Sequence, residues 1–228
     1  MILVPAAVPR TAPAFQRLID PEQRPAVRAG LTVEALPPGV RIEQLPYESV
    51  ESVTVVLSGR LFAAGRILSP GEALHHRPGT SCRIAAVRGT PTTVLTVRPV
   101  PPRAAIPAQR SDSAPAASRR QVEVGTARLD PCGTCGPYTD RAADAFLVVL
   151  TGAAAFLGEL GEVLLLSGDL VYVRAGERYG LRAGRRGPVT VVLGRVGAPG
   201  AALGPEWEGR PVRSGRTGPQ GWDRSDRP

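Results

Sequence analysis

The chain contains the stretch Val55-Val56-Leu57-Ser58-Gly59, and nearly the same stretch returns as Val148-Val149-Leu150-Thr151-Gly152. Each copy is an apolar run that ends at a glycine. Two further motifs follow the copies: Gly71-Glu72 before Arg77-Pro78-Gly79, and Gly168-Asp169 before Arg174-Ala175-Gly176. Self-similarity of this kind indicates one structural unit built twice. The repeat therefore predicts a β-rich architecture in two copies.

The composition is compatible with packed aliphatic cores. The chain has 228 residues, enough for one large or two small domains. Hydrophobic residues make up 43% of it and aromatic residues only 4%, so Val, Leu, Ile and Ala must fill the interior. No stretch shows a long 3.6-residue period, whereas short runs alternate apolar and polar residues between Gly and Pro turns. We therefore expect an all-β protein with little helix.

Changes of composition predict five segments. The Pro-, Ala- and Ser-rich part is expected to be an extended linker, and the Gly-, Pro- and Arg-rich end a mobile tail, unless Trp207 and Trp222 hold it against the protein surface. One short helix is a candidate around Ala14 to Ile19. The segments are an N-terminal extension at 1–28, strand-rich units at 29–98 and 122–197, the linker at 99–121 and the tail at 198–228.

The net charge of +8 and the pI of 10.6 first suggest a nucleic-acid partner. Every basic side chain counted in that charge is Arg, and Lys and Asn are absent, which is a bias typical of a GC-rich genome. The arginines are also scattered along the chain. Pairs such as Arg119-Arg120 and Arg185-Arg186 fit solvated surfaces or loops. We therefore expect no nucleic-acid partner.

We also expect no membrane partner. The start of the chain has no basic region followed by a long apolar core, so it does not resemble a signal peptide. No apolar run approaches the length of a membrane span. Three cysteines do not make a disulfide framework. A cytoplasmic location is the resulting expectation.

The repeated motifs resemble those of the cupin superfamily. In both copies a Val- and Leu-rich strand ends at Gly59 or Gly152, and a Gly-Glu or Gly-Asp pair and a further glycine turn follow at a matching spacing. The resemblance covers 29–98 and 122–197, and two copies in one chain resemble a bicupin. It implies an all-β fold class with two cupin-type double-stranded β-helix barrels, a form of jelly roll.

Enzymes of that superfamily usually hold a metal on three His and one Glu, and this chain departs from the pattern. The first motif fits from Gly39 to Gly59 and the second from Gly133 to Gly152. The ligand positions hold Leu45, Tyr47, Ser52 and Cys82 in the first copy, and Thr139, Arg141, Ala145 and Tyr179 in the second, or Tyr138 and Asp140 if the register shifts by one. Transition metals prefer imidazole, thiolate or carboxylate donors. We therefore expect no metal and no cofactor.

The histidine count excludes the usual cupin metal site without an alignment, though not every metal site. The chain has two His, the adjacent His75 and His76. Neighbours on a strand point to opposite faces, so at most one of them can point into a barrel. A three-His centre within one chain is thereby excluded.

The cysteines leave alternatives open. Cys82, with a histidine and Glu48 or Glu51, could form a polar cluster with a nucleophilic thiolate. Otherwise it is a small thiol that packs like a hydrophobic residue. Cys132 and Cys135 form a CxxC motif, which could be a redox pair, half of a zinc site or an ordinary loop.

The second barrel offers a further candidate site, because Tyr172, Arg174, Tyr179 and Asp140 are expected at its mouth. Barrels of this size can hold one small ligand, and an Arg beside tyrosines suits a carboxylate, a phosphate or sugar hydroxyls. Alternatively, Arg174 caps a turn and the tyrosines close the barrel end. The pocket candidates of both barrels are Tyr47, His75, His76, Cys82, Tyr138, Asp140, Tyr172, Arg174 and Tyr179.

These observations favour a protein without catalytic activity that binds a small ligand, acts as a sensor or has a structural role. The alternative is a cupin enzyme of the isomerase, epimerase or dioxygenase type. Its non-standard site would lie around His75, His76 and Cys82, or around Tyr179. The two barrels are expected to pack on each other as an internal pseudo-dimer, and a homo-oligomer is a further expectation.

Overall fold

The computed structural model describes residues 1–4, 15–24, 26–44, 51–100 and 122–197, and all regular elements within them are β-strands. The strands of the first half are β1 (Ile2–Val4), β2 (Phe15–Ile19), β3 (Ala29–Leu36), β4 (Arg41–Gln44), β5 (Ser52–Ser58), β6 (Leu61–Ala63), β7 (Arg66–Leu68), β8 (Ala73–His76), β9 (Cys82–Ala86) and β10 (Thr92–Pro99). Those of the second half are β11 (Val122–Leu129), β12 (Thr134–Thr139), β13 (Ala143–Thr151), β14 (Ala153–Gly158), β15 (Gly161–Leu166), β16 (Leu170–Val173), β17 (Arg178–Ala183) and β18 (Val189–Gly197).

Each half of the chain forms two antiparallel sheets. In the first half, which we call lobe 1, a five-stranded sheet has the order β2-β3-β10-β5-β8 and a four-stranded sheet the order β4-β9-β6-β7. In the second half, lobe 2, the corresponding orders are β11-β18-β13-β16 and β12-β17-β14-β15. Strand β1 pairs with β16 and gives the larger sheet of lobe 2 its fifth strand.

The two lobes share one strand register. Val56 of β5 pairs with Val94 of β10, and Val149 of β13 pairs with Val191 of β18. In both pairs of strands, the pairing register shifts directly after these residues. Each residue of these strands in lobe 1 therefore has a counterpart in lobe 2, and the sequence repeat corresponds to a structural repeat.

The glycine that ends each repeated stretch is required by the turn that follows. Gly59 has a φ angle of 75° and Gly152 one of 85°, in the left-handed region that favours glycine. A Cβ atom on Gly59 would lie 2.3 Å from the carbonyl oxygen of Pro91. One on Gly152 would lie 2.7 Å from that of Pro188. Any side chain at either position would collide with the loop before β10 or β18.

Each lobe has an apolar core between its two sheets. The core of lobe 1 includes Leu36, Val56 and Ile84. The core of lobe 2 is larger and includes the aromatic residues Phe156 and Tyr179. The interior of lobe 2 is therefore filled more completely by apolar side chains.

A third apolar core joins the lobes. Its members come from the outer faces of both five-stranded sheets. From lobe 1 they include Leu31, Val33, Val53, Val55, Leu95 and Val97, and from lobe 2 Val122, Phe146, Val148, Tyr172, Val192 and Val196. A Cβ atom on Gly194 would lie 2.0 Å from Phe146 Cζ, so this glycine makes room for the ring. The larger sheets therefore pack face to face and are covered on both sides.

A buried carboxylate crosses the interface between the lobes. Asp144 is 1% exposed. Its Oδ2 accepts hydrogen bonds from the Tyr172 hydroxyl at 2.6 Å and from the Arg28 backbone N–H at 2.9 Å, and its Oδ1 accepts one from the Ala175 N–H at 2.9 Å. Arg28 directly precedes β3 of lobe 1, whereas the other groups belong to lobe 2. The carboxylate is thus fully hydrogen-bonded and holds the two lobes together.

The N-terminal region differs from the sequence prediction. The candidate helix around Ala14 to Ile19 is wrong, because Phe15–Ile19 forms β2 and pairs with β3 at the sheet edge. Strands β1 and β2 both fall within the predicted extension 1–28. Most of the predicted linker and all of the tail lie outside the described residues. Among the residues that are described, no helix is long and apolar enough to cross a membrane.

We expect Asp144→Ala to lower the free energy of unfolding by about 3 kcal/mol, because it leaves buried donors without an acceptor. Urea denaturation followed by circular dichroism would measure the change. Asp169→Ala is the control, since the Asp169 carboxylate accepts the Leu166 N–H at 2.7 Å in an exposed turn, and it should cost about 1 kcal/mol. Equal losses in the two variants would contradict a special role for Asp144.

Candidate functional site

The inner face of the five-stranded sheet of lobe 1 carries a row of hydroxyl groups. Thr96 of β10 pairs with Thr32 of β3 on one side and with Thr54 of β5 on the other. Their neighbours along the strands, such as Leu95 and Val97, belong to the core between the lobes. Because side chains alternate between the faces of a strand, the three threonines point into the barrel. All three are buried.

His76 extends this polar surface onto β8. It pairs with Ser52, and both residues are buried. Its Nε2 lies 2.9 Å from Thr54 Oγ1, within hydrogen-bond distance. Burial lowers the pKa of His76, and the neighbouring His75 lowers it further. The imidazole is therefore neutral near pH 7 and offers one donor and one acceptor.

Two charged residues continue the inner face of lobe 1. Arg98 follows Thr96 by two positions on β10, and Glu34 follows Thr32 by two positions on β3. Both side chains are partly buried. Burial raises the pKa of Glu34, whereas the positive charge of Arg98 lowers it. The barrel interior thus combines hydroxyls, an imidazole and opposite charges.

The equivalent inner positions of lobe 2 are mostly apolar. The shared register sets the correspondence between the lobes. The counterparts of Thr32, Ser52, Thr54, His76 and Thr96 are Gly125, Ala145, Leu147, Val173 and Leu193. The last four of these belong to the core of lobe 2. One barrel is therefore polar at positions where the other is packed with aliphatic side chains.

Cys82 and Tyr179 occupy matching positions on the smaller sheets. Cys82 pairs with Gln44, and Tyr179 pairs with Tyr138. Cys82 is partly buried against the core of lobe 1, and burial raises its pKa. The Tyr179 ring lies 5.7 Å from that of Tyr138 and 6.5 Å from that of Phe156, between centroids. Burial raises the pKa of Tyr179 to about 12. In lobe 2 an aromatic cluster thus fills the position that a thiol takes in lobe 1.

An ion-pair network occupies the polar end of lobe 2. The Arg195 Nε–H donates to Asp140 Oδ2 at 2.7 Å, and its Nη1–H donates to Glu123 Oε2 at 3.4 Å. Asp140 Oδ1 also accepts the N–H groups of Ala142 and Ala143 at 2.8 and 3.0 Å. Asp140 is therefore held by neighbouring protein groups, which is typical of a structural role.

Two pocket candidates of lobe 2 lie away from its barrel mouth. Tyr172 pairs with Phe146 and points into the core between the lobes, which corrects its predicted position. Its strand is buried along its whole length, so burial alone does not show which face is the inner one. The Arg174 side chain is exposed, and its Nε–H and Nη2–H donate to Glu177 Oε1 at 3.2 and 3.0 Å. Arg174 therefore stabilises a turn.

The remaining candidates of lobe 1 do not gather around Cys82. His75 is exposed and pairs with Val53, whose side chain belongs to the interface core. Glu51 Oε1 accepts the N–H of Val122 at 2.7 Å, a contact between the lobes. Tyr47, like Leu45 and Glu48, lies outside the described residues. His76 and Cys82 are the predicted residues that the structure places on inner surfaces of lobe 1.

The two residues of the CxxC motif have different environments. Cys132 is exposed in the turn before β12, where the Gly133 N–H donates to the Asp130 carbonyl at 2.8 Å. Cys135 is 3% exposed, and its Sγ lies 3.1 Å from the Tyr138 hydroxyl. Burial raises the pKa of Cys135. The described residues contain no helix that could stabilise a thiolate, so the motif differs from redox sites of the thioredoxin kind.

The donor set does not fit the metal centre that the cupin motifs imply. Within the described ranges, no group of three or more His, Cys, Asp or Glu side chains could hold a metal ion. Ser52 and Ala145 stand at the positions of the ligating carboxylate, and Cys82 and Tyr179 at those of the last histidine. Hydroxyls and aliphatic groups are poor donors for transition metals.

A separate concave surface lies on the outer face of the four-stranded sheet of lobe 1. Its volume is about 790 Å³. Arg41, Glu43, Phe62, Arg83 and Arg88 are among the residues that line it. These charges face solvent, so salt would screen any interaction there more strongly than inside the barrel.

The inner threonines, Arg98 and Arg195 were not among the residues that the sequence indicated, whereas Ser52 was named as the occupant of a ligand position. A local signal for them exists. Polar residues stand two positions apart at Ser52 and Thr54 on β5, and again at Thr96 and Arg98 on β10, within otherwise apolar runs. Polar residues at every second position of a buried strand lie on the same face of that strand. Pairing of these two strands would place their polar faces side by side.

We expect the stability of the protein to decrease as the pH falls below about 6.5, because the unfolded state then binds a proton that buried His76 resists. The folded-state pKa is lowered, so this contribution is fully retained above that pH. Chemical denaturation between about pH 7 and pH 5 would measure it. His76→Gln should flatten the profile, whereas His75→Gln should keep most of it. Identical profiles for the two variants would contradict the assignment.

We expect Cys132 to be the fast-reacting thiol of the native protein, because Cys135 is buried and its raised pKa reduces the thiolate fraction. Titration with an aromatic disulfide reagent at mildly alkaline pH should show Cys135 reacting at least about tenfold more slowly. Cys132→Ser should remove the fast phase, and Cys135→Ser should retain it. Rapid formation of a Cys132–Cys135 disulfide in air would support a redox pair instead.

No family model matches the chain, and no curated protein matches it by sequence. Solved structures do match. The putative glyoxylate-induced protein from Pseudomonas aeruginosa has a TM-score of 0.64 at 17% identity, over 89% of this chain and 91% of its own. Protein Ylba from E. coli has 0.63 at 14% identity, over 88% and 89%. The oxalate decarboxylase of Lactobacillus farciminis has 0.63 at 10% identity, over 86% of each chain.

A conserved-barrel protein of the cupin 2 type from Leptotrichia buccalis also matches, with a TM-score of 0.53 at 11% identity, over 82% of this chain and 89% of its own. At such low identities these similarities concern the fold. They confirm the all-β fold class and the resemblance that the repeated motifs indicated. The chain therefore has the cupin fold, with two jelly-roll barrels.

Proposed function

We propose that lobe 1 binds a small molecule inside its barrel without a metal and without catalysis, and that lobe 2 is its structural support. The observation that carries this proposal is the difference between equivalent inner positions of the two lobes. Thr32, Ser52, Thr54, His76 and Thr96 line one barrel, where Gly, Ala, Leu and Val stand in the other.

The chemistry of the inner hydroxyls favours a ligand in lobe 1. A hydroxyl both donates and accepts hydrogen bonds, so it can bond a neighbour such as His76 and still bind a polar molecule. The same fold is built in lobe 2 with aliphatic side chains at these positions, so the barrel does not need the hydroxyls for its stability. A small polar molecule inside a barrel of this size would use them as donors and acceptors.

The supporting role of lobe 2 follows from the apolar side chains that fill its barrel. Leu147, Val173 and Leu193 occupy its inner face, and Phe156 and Tyr179 pack against them in one core. Its Arg195 is already bound by Asp140 and Glu123. The third apolar core, between the lobes, joins this packed barrel to the five-stranded sheet of lobe 1 and holds that sheet in place.

The non-catalytic part of the proposal rests on the donor set. The oxalate decarboxylase with a similar fold is an enzyme by name, but a shared fold does not carry an activity to this chain. In lobe 1, the neutral His76 side chain is hydrogen-bonded to Thr54, and the described residues contain no cluster of side chains that could hold a metal ion. The cysteines among the described residues are free, which supports our further proposal of a reducing, cytoplasmic location.

A library of small polar molecules, screened by thermal shift on the full chain, should contain compounds that stabilise it. A compound at about one hundred times its dissociation constant would add about 2.7 kcal/mol to the free energy of unfolding. Thr54→Val should abolish this effect, because it removes a hydroxyl from the inner face. Leu147→Val, at the equivalent position of lobe 2, is the matched control and should retain it.

Metal analysis of protein purified without added metal tests the other half of the proposal. We expect substoichiometric Fe, Mn, Ni and Zn. A stoichiometric content of one of these metals would overturn the metal-independent assignment. Stabilising compounds that lose their effect in Leu147→Val but not in Thr54→Val would place the binding site in lobe 2 instead.

A further inference from the structure

The concave surface on the outer face of the four-stranded sheet of lobe 1 has a small residue at its centre. Ala85 of β9 pairs with Arg41 of β4 on one side and with Phe62 of β6 on the other. Residues directly opposite each other on paired strands point to the same face of the sheet. The concavity of about 790 Å³ therefore has the Ala85 methyl group as its floor, an arginine on one side and an aromatic ring on the other.

The equivalent row of lobe 2 is filled at its centre. Phe62 and Ala155 each stand three residues after the glycine that ends the repeated stretch, and Ala155 pairs with Arg182. Arg182 thus takes the position of Ala85 on the central strand. Its Nη2–H donates to Glu162 Oε1 at 2.6 Å, so its charge is balanced within the sheet. A long, paired side chain therefore covers the place that is open in lobe 1.

Positive charge dominates the border of the concavity. Arg41, Arg83 and Arg88 are all exposed, and Glu43 is the only acid among the described residues that line the surface. Within the part of the chain that the structure describes, no hydrogen bond or ion pair involves the three guanidinium groups. Three positive charges and one negative charge leave a net charge of +2 at neutral pH.

The arginines are close enough to contact one anionic group. Arg83 stands two residues from Ala85 on β9, on the same face, and is therefore a diagonal neighbour of Arg41. Long side chains of diagonal neighbours can reach each other. A Cβ atom on Gly39 would lie 3.5 Å from Arg88 Cγ, so the Arg88 side chain passes beside the turn that leads into β4. Arg41 thus stands between the other two arginines.

This charge fits a phosphate group better than a carboxylate. A phosphate monoester carries about −1.5 to −2 charges near pH 7 and has three strong acceptor oxygens. A carboxylate carries a single charge on two oxygens. Guanidinium groups bind phosphate through pairs of parallel hydrogen bonds. Two of the arginines can therefore bond the same phosphate, whose charge balances that of the surface.

An apolar area lies beside these charges. Phe62 and Ile67 pair on β6 and β7 and are 47% and 44% exposed. An exposed aromatic ring offers a face on which a nucleobase can stack. The volume of the concavity lies within the range of pockets that hold small organic molecules. The surface thus joins an anion-binding side to an aromatic side across Ala85.

We propose that this outer surface of lobe 1 is a second binding site and that its ligand is a nucleoside phosphate. The phosphate binds Arg41 together with Arg83 or Arg88. The base stacks on Phe62 above the Ala85 floor. This site lies on the opposite side of the four-stranded sheet from the barrel interior, so it does not depend on the binding proposed for the inner hydroxyls.

Isothermal titration of the full chain with the monophosphates of adenosine, guanosine, cytidine and uridine tests the class of ligand. At least one nucleotide should bind at least about tenfold more tightly than its nucleoside and than ribose phosphate. Its affinity should fall at least about threefold when the salt concentration rises from about 50 to about 200 mM, because salt screens exposed charges. If none of the four nucleotides shows this preference, the proposal is overturned.

Substitutions on the two small sheets locate the site. Arg41→Gln should weaken nucleotide binding at least about tenfold and leave the affinity for the nucleoside unchanged, because it removes the central guanidinium. Phe62→Ala should reduce the affinity for the nucleotide to that for ribose phosphate. Arg182→Gln is the matched control, since it removes an exposed arginine from the outer face of the equivalent sheet, and it should retain binding. Equal losses in Arg41→Gln and Arg182→Gln would indicate a general effect of charge and overturn the site.

A substitution at the floor tests the shape of the site without a change of charge. Ala85→Gln places a longer side chain between Arg41 and Phe62 and should abolish nucleotide binding. Urea denaturation of each variant would show that it folds. Full binding by Ala85→Gln would contradict a ligand seated on this floor.

Three further outcomes would overturn the proposal in distinguishable ways. Loss of nucleotide binding in Thr54→Val but not in Arg41→Gln would place the nucleotide inside the barrel and leave the proposed function of lobe 1 intact. Inorganic phosphate that binds as tightly as every nucleotide would show that no ring is recognised. A single-stranded oligonucleotide that binds more tightly than all four mononucleotides would assign the surface to nucleic acid.

Discussion

The face-to-face packing of two five-stranded sheets is the constraint on which the rest of the structure depends. On each strand of these sheets, alternate side chains enter the interface between the lobes, and the others enter a barrel. Both faces are therefore removed from water, and strands such as β5 become almost continuous apolar runs. A polar side chain on such a strand needs a local partner or a ligand to offset the hydration it loses.

The interface and lobe 2 meet this requirement with groups of the chain itself. Asp144 is bonded by donors from both lobes, and Arg195 is bonded by two acids. Lobe 1 meets it with hydroxyls and a neutral imidazole, such as the Thr54–His76 pair, and these groups can donate and accept hydrogen bonds in several arrangements. Such groups suit the recognition of a molecule that enters the barrel. The contrast between two copies of one fold is more informative about function than the fold, which proteins of different activities share.

Local properties of the sequence explain which predictions were correct. The repeated glycines and the alternating runs predicted the strands and the two barrels, because turns and strand periodicity depend on neighbouring residues. The helix around Ala14 to Ile19 was wrong, because the free edge of β3 supplies backbone partners that a local pattern does not show. Tyr172 and Tyr179 were expected together, but β16 is buried on both faces, and its sequence does not mark the inner one.

The sequence by itself determined the duplicated β architecture, the places where only glycine can end a strand, and the exclusion of a three-histidine centre. These follow from counts, spacings and local sterics. Only the tertiary structure decided which buried face of each strand lines a barrel, and therefore that Thr32, Thr54 and Thr96 form one row. That choice depends on which sheets pack together, through pairings between residues far apart in the chain.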